Sequence, residues 1–174
     1  ATGLDGGISV MDSRTFVHYY RSTTDGRLML GKGGNTFAFG GRMLRVFDEP
    51  SPYRDLLAER LGDFMPLLER VPIAASWNGP SDRSVTGLPF FGRLKDARNV
   101  FYGFGYSGNG VGPTHMGGTI LASLVLGHDN AWTRSRLVRG ALGQFPPEPI
   151  RYAGSILVRN AIRRKERAED AGLQ

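Results

Sequence analysis

The 174-residue chain contains no cysteine, no apolar run of membrane length, no internal repeat and no low-complexity tract. Without cysteine there is no disulfide, no thiolate nucleophile and no cysteine ligand for zinc. A membrane-spanning helix needs about 20 consecutive apolar residues, and no stretch here approaches that. The opening residues, ATGLDGGISV, carry neither a basic segment with a long apolar core nor an initiator Met, so neither a secretory leader nor a natural start is visible. A cytoplasmic location is expected. What is present is ordinary for a globular domain: 40% hydrophobic and 22% charged residues. A chain of this size can bury about 70% of its unfolded surface. The net charge of +6 bears on non-specific association with anions rather than on fold.

Aromatic and β-branched residues in FVHYYR (16–21), turn chemistry in STTDGR and an extended LMLG predict a β-hairpin. A glycine-rich patch, GKGGNTFAFGGR, follows. In SPYRDLLAERLGDF, Ser51 or Pro52 opens a predicted helix with Asp55 in its first turn and Leu56, Leu57, Leu61 and Phe64 on one face. VPIAASWNG (71–79) and NVFYGFGYS (99–107) read as strands, and TGLPFFGRL as a short extended piece with Pro89 at an edge or turn. PTHMGGTILASLVLG then predicts a helix, with Pro113 at its first position, an apolar face through Ile120, Leu121, Leu124 and Val125, and Gly127 as its stop. After the proline cluster FPPEP, a last helix is expected over about residues 151–168.

FYGFGYSGNGVGP (101–113) contains a literal G-x-G-x-x-G in Gly103, Gly105 and Gly108. A true dinucleotide fingerprint sets its third glycine in the opening turn of the helix that receives the pyrophosphate. Here Gly108 lies five residues ahead of Pro113, and Asp129, about 20 positions on, follows a helix with no second strand to carry it to a ribose. The register therefore argues against that reading. Such a loop can still offer backbone N–H groups and a positive helix end to an electron-rich atom; the plain alternative is a tight turn that packs a strand on a helix.

Three blocks in order, HYYRSTTDGRLMLGKGG (18–34), SWNGPSDRSVTGLPFFGRL (76–94) and NVFYGFGYSGNGVGPTHMGGTILASLVLG (99–127), together resemble the C-terminal half of the FAD-dependent oxidoreductases of the D-amino-acid oxidase and glycine oxidase superfamily. The similarity is greatest to the γ-glutamylputrescine oxidoreductase-like branch. It implies an α+β fold: a mixed, largely antiparallel substrate-domain sheet with flanking helices, plus a strand, glycine loop and helix that complete an FAD domain supplied by a missing N-terminal part. On that basis residues 1–98 form the substrate-domain sheet and helix, 99–128 complete the flavin site, and 129–174 form a covering segment with a basic helix. FAD is expected to be bound non-covalently, the N-terminal FAD-binding part of the same polypeptide is the expected partner, and the isolated chain is expected to be inactive. Whether copies associate into a homo-oligomer stays open.

The resemblance further implies that Tyr106, Ser107, Gly108, Asn109, Gly110, Val111, Gly112 and Thr114 abut the flavin ring, where N–H donors and a helix N-terminus stabilise the negative charge formed on reduction. Many relatives read G-F-S-G-H-G; this chain has Tyr106 for the Phe and Asn109 for the His, and an Asn donates but does not titrate. The implied chemistry is oxidation of an amine or amino acid to an imine. Relatives acting on α-amino acids often hold the carboxylate with an Arg in a G-x-R-P stretch. Here Arg83 is displaced from that place, which favours an amine with a more distant anionic or polar group. Tyr20, Trp77 and Arg83 are the candidate substrate contacts, set against the reading of strand aromatics as core.

No catalytic acid or base is singled out. His18, among strand aromatics, and His115, in a first helical turn, read as structural, and no metal-ligand cluster or Ser-His-Asp order is defensible from the spacings. The terminal helix carries Ile156, Leu157 and Ile162 among Arg159, Arg163, Arg164, Lys165 and Arg167, interrupted by Glu166, Glu169 and Asp170. A solvated face with one docked stripe is expected, and no nucleic-acid partner. The competing functional class is a stand-alone basic domain that uses the same scaffold to bind an anionic ligand or a partner protein.

Overall fold

A computed structural model describes residues 7–34, 36–47 and 53–172. The chain divides into two units, residues 1–80 with 147–174, and residues 81–146.

In the first unit, β1 (Ser9–Met11), β2 (His18–Ser22) and β3 (Leu28–Lys32) form an antiparallel sheet in that order. The turn between β2 and β3 is held by Thr23, whose N–H donates to the Arg27 carbonyl at 2.8 Å while Gly26 N–H returns to the Thr23 carbonyl at 3.1 Å. That is the hairpin expected from STTDGR. Helix α1 spans Arg54–Phe64; the proposed start at Ser51 or Pro52 lies outside the described residues. Its Phe64 ring meets His18 edge-on at 5.4 Å and stacks near Tyr20 at 6.4 Å. Helix α3 runs Ile150–Gly172, longer than expected. Its start is tied to the turn at Phe39–Gly41: Glu148 accepts the Gly40 N–H at 2.8 Å, Arg151 donates to the Ala38 carbonyl at 2.7 Å, and the Phe39 and Tyr152 rings meet edge-on at 5.6 Å. Leu157, expected in the docked stripe, is 71% exposed, because the helix turns that position away from the sheet.

One further expectation fails. Residues 71–79 form no strand. Pro72 lacks an N–H and the segment has no pairing partner, so its β-branched residues do not suffice; Val71 and Trp77 stand exposed.

In the second unit, β4 (Phe90–Arg93) and β5 (Phe101–Phe104) form an antiparallel ribbon with Phe91 opposite Gly103. Period-two alternation sends Phe91 to one face and Phe90, Tyr102 and Phe104 to the other, where Tyr102 and Phe104 stack at 6.0 Å. Helix α2 spans Pro113–Val125 and stops ahead of Gly127, as its Pro and Gly predict. Phe91 and Ile120 are completely buried. The buried face of α2 is Gly117, Ile120 and Ser123, so Val125, expected in it, faces outward at 61% exposure. Gly117 sits where the helix passes closest to the ribbon: a Cβ there would overlap the Tyr106 hydroxyl and lie 3.0 Å from the Phe91 ring. The α+β character is as expected, but the strands described lie in two small antiparallel sheets rather than one mixed sheet.

His18 is buried, and its Nδ1 lies 2.9 Å from Asp12 Oδ2 while Asp12 Oδ1 accepts the His18 and Arg14 N–H groups. Burial, opposed by the bond to Asp12 and aided by the Lys32 charge, holds His18 below its ordinary 6.5. Burial also raises Asp12, but the His18 and Arg14 hydrogen bonds outweigh it and its carboxyl lies below 3.8. The signs follow by linkage. As pH falls through 6.5 the unfolded His18 takes up its proton first, so this unit loses stability until the folded value is reached; the Asp12 contribution is present above 3.8 and is lost below it. Thermal melts between pH 8 and 5 are expected to fall with pH in this way, and His18→Gln to flatten the part of the slope nearest pH 6. An unchanged slope in that variant would remove His18 as its source.

Candidate functional site

The second unit carries a loop, residues 105–112, between β5 and α2. Asn109 N–H donates to the Tyr106 carbonyl at 2.9 Å, and the two residues between them, Ser107 and Gly108, have φ of 57° and 90°. Two positive φ values in succession are what a type I′ turn requires. Gly108 meets this demand without cost, whereas Ser107 is held there by its hydroxyl. Its Oγ donates to the Gly105 carbonyl at 3.0 Å and accepts the Ser84 N–H at 3.2 Å, and the side chain is buried. A non-glycine residue in this region costs on the order of 1–2 kcal/mol, so the contacts around Ser107 select the turn.

Asp82 braces the same loop by accepting the Gly105 N–H. Burial first, and the Asp82 charge second, push the Tyr106 hydroxyl above its ordinary 10.0, so Tyr106 is a neutral donor. Its ring meets the Phe91 edge at 6.2 Å over Gly117. On the helix side, Thr114 N–H bonds the Gly110 carbonyl at 2.8 Å, Thr114 Oγ1 donates to the Val111 carbonyl at 2.9 Å, and His115 N–H bonds the Gly112 carbonyl at 3.2 Å. Loop carbonyls are thereby consumed, while the N–H groups of Gly108, Gly110, Val111 and Gly112 make no hydrogen bond to any described residue. Val111 is 98% exposed beside them. The result is a row of donors at the positive end of α2, with an apolar side chain alongside. Such a surface fits the edge of a flat, electron-rich ring.

Of the eight residues named from the sequence, Tyr106 to Gly112 lie in this loop and Thr114 in the first turn of α2. The three candidate substrate contacts do not form one cluster within a unit. Tyr20 is in β2, paired with Leu30 and Val10 and stacked near Phe64; Trp77 lies exposed in the irregular stretch after α1. Arg83 belongs to the second unit, where it is exposed. His115 is exposed at the start of α2 and His18 is occupied by Asp12. Asp82 and Ser84, which fix the loop from 23 residues upstream, carried no role in the sequence reading; the only signal was their place in the D-R-S stretch ahead of LPFFGRL. Among the described residues no group of His, Asp and Glu is arranged to hold a metal, and no helix is long and apolar enough to cross a membrane.

The chain belongs to the FAD dependent oxidoreductase family, DAO, whose model matches residues 2–124 and so includes the whole loop. It is similar to the gamma-glutamylputrescine oxidoreductase of Escherichia coli, with 35% identity over 118 residues, 68% of this chain and 25% of that protein. It is similar also to two probable oxidoreductases named OrdL. The Haemophilus influenzae protein is 31% identical over 129 residues, 72% of this chain and 26% of its own length. The Rhizobium meliloti protein is 34% identical over 128 residues, 71% and 26% of the two chains. The chain thus spans about a quarter of the length of these relatives. No solved structure matches it.

Proposed function

We propose that this chain supplies the substrate-side portion and one wall of the flavin site of an FAD-dependent oxidoreductase that oxidises an amine or amino acid to an imine. The observation that carries the reading is the loop between β5 and α2, with four unclaimed N–H groups at the head of a helix inside the family match. FAD, when bound, supplies the acceptor for the hydride leaving the amine-bearing carbon. Tyr106 to Gly112 and Thr114 are the residues we assign to hold the ring, with the helix end and its N–H groups stabilising negative charge on it. Asn109 donates a hydrogen bond there and takes up no proton at any ordinary pH. Within the loop, Asp82 and Ser107 act as positioning residues, since they fix the turn that aims the donors.

Tyr20 and Trp77 are proposed as aromatic contacts to the substrate and Arg83 as the partner of an anionic or polar group on it. The remaining flavin contacts are assigned to an N-terminal part of the same polypeptide, so the 174 residues alone are expected to be inactive. The test is to purify the protein at its natural full length and look for bound flavin. A yellow protein that is bleached anaerobically by an amine, with γ-glutamylputrescine as the first one tried, is the expected result. A full-length protein that takes up no flavin overturns the reading.

A further inference from the structure

In the first unit, the sheet, α1 and α3 line a pocket of about 270 Å³ that shares no residue with the glycine loop. Five of its lining side chains are cationic: Arg14, Lys32, Arg60, Arg163 and Arg167. Among the described residues Glu166 alone lines it with a carboxylate, and that group already accepts the Phe16 N–H at 3.1 Å. Arg14 and Arg60 have acidic neighbours, Asp12 at 3.6 Å and Asp63 at 2.8 Å. Lys32 donates instead to the Phe16 carbonyl at 3.1 Å and lies 5.5 Å from the Phe16 ring centre; Arg167 donates to the Arg163 carbonyl at 3.3 Å. Lys32, Arg163 and Arg167 thus make no ion pair among the described residues. Lys32 and Arg163 are half-buried while Arg167 is exposed at the rim, and withdrawing positive charge from water is costly unless an anion joins it.

A second observation points to the same ligand. His18 lines the pocket and is 4% exposed, and its Nε2 has no hydrogen-bond partner. Asp12 occupies Nδ1, so Nε2 is the ring's one polar atom without a partner among the described residues, in a side chain that lines the pocket. Phe16 and Leu56 add an apolar wall. The space is larger than one inorganic oxyanion fills, which leaves room for an organic body against that wall.

We propose that this pocket binds a small organic oxyanion, its charged head among Lys32, Arg163 and Arg167 and in contact with His18 Nε2, its apolar body against Phe16 and Leu56. In the free protein the Asp12 contact favours the proton on Nδ1, leaving a lone pair on Nε2. An anion at Nε2 favours the doubly protonated ring, which donates to Asp12 on one side and to the ligand on the other. Binding is therefore coupled to proton uptake. The other charged groups that line the pocket or contact His18 are Asp12 and Arg14 from the β1–β2 segment, Lys32 from β3, Arg60 from α1, and Arg163, Glu166 and Arg167 from α3; hydrogen bonds hold Asp12 below its ordinary value and burial lowers Lys32. Affinity rises as pH falls across the range in which His18 protonates.

Benzenesulfonate, whose charge is fixed at all these pH values, is the probe. It is titrated into the full-length protein at pH 8 and pH 5.5, with calorimetry and the NMR signal of the His18 Cε1 proton as readouts. The expected result is saturable binding that shifts the His18 signal and is tighter at pH 5.5. Arg163→Gln is expected to weaken it about tenfold, as for loss of one charge-assisted hydrogen bond. Arg164→Gln, with the same charge change on the outer side of α3, is expected to leave it within about twofold. His18→Gln is expected to keep binding but lose its pH dependence. Equal losses in the two Arg variants, or an unmoved His18 signal at saturation in the unaltered protein, overturns the proposal. Flavin content enters none of these readouts, so the outcome is independent of the oxidoreductase reading.

Discussion

Phe91→Ala is expected to cost the second unit about 3–5 kcal/mol, the range for a large aromatic removed from a core that does not collapse into the gap. Phe91 is completely buried between β5, the start of the loop and α2. Its ring covers Gly103 across the ribbon, faces the edge of Tyr106 and lies against Gly117 of α2. Its carbonyl also accepts the Gly140 N–H at 3.2 Å, although that bond survives truncation of the side chain. Ile120 is the only other large side chain among the described residues that is fully buried, so the core has little else to redistribute. Denaturant melts of the full-length protein followed by a probe in this unit would measure the loss. A change under about 1 kcal/mol would mean that the unit does not depend on this core. Phe91→Leu, which retains most of the volume, is expected to recover about half of the loss.

Gly108→Val is expected to lower flavin content of the full-length protein about tenfold while leaving the core intact. A Cβ at Gly108 meets no atom within 4 Å, so the first side-chain atom brings no clash. What it does bring is a β-branched residue at φ of 90°, a backbone state that such residues avoid. The turn must open to relieve this, at an expected cost of on the order of 1–3 kcal/mol, and the N–H groups on either side lose their common aim. A flavin-to-protein ratio equal to that of the unaltered protein would show that the ring does not rest on this turn. Because no side chain is removed from the core, the variant separates loss of the loop from loss of the fold, which Phe91→Ala does not.

Local features of the sequence were enough to place the hairpin of β2 and β3, the extended segments of β4 and β5 though not their pairing, and α2 between Pro113 and Gly127. In each case the deciding physics is within a few residues: alternation, a turn sequence, a proline that starts a helix and a glycine that follows it. The strand read into residues 71–79 had composition on its side and lacked a partner, which no local pattern reveals. The α2 face was legible only in part, because Gly117 and Ser123, not Val125, are buried: Gly117 lies against Phe91 and Tyr106, and Ser123 accepts from Asn130 in the segment after the helix. Gly117 is buried by the close approach of the helix, a quantity fixed by the Phe91 and Tyr106 rings rather than by hydrophobicity.

The sequence by itself determined the family, through three blocks whose order and spacing are far more specific than one glycine motif. Tertiary structure alone decided what steadies the glycine loop and what lies elsewhere. Asp82 reaches Gly105 and Ser84 reaches Ser107 across 23 positions, and Arg163 and Arg167 join Lys32 and His18 across more than a hundred. Hydrogen bonds and charge depend on distance in space, and folding sets that distance through the packing of whole elements, so residues with no mutual pattern in the chain become one site.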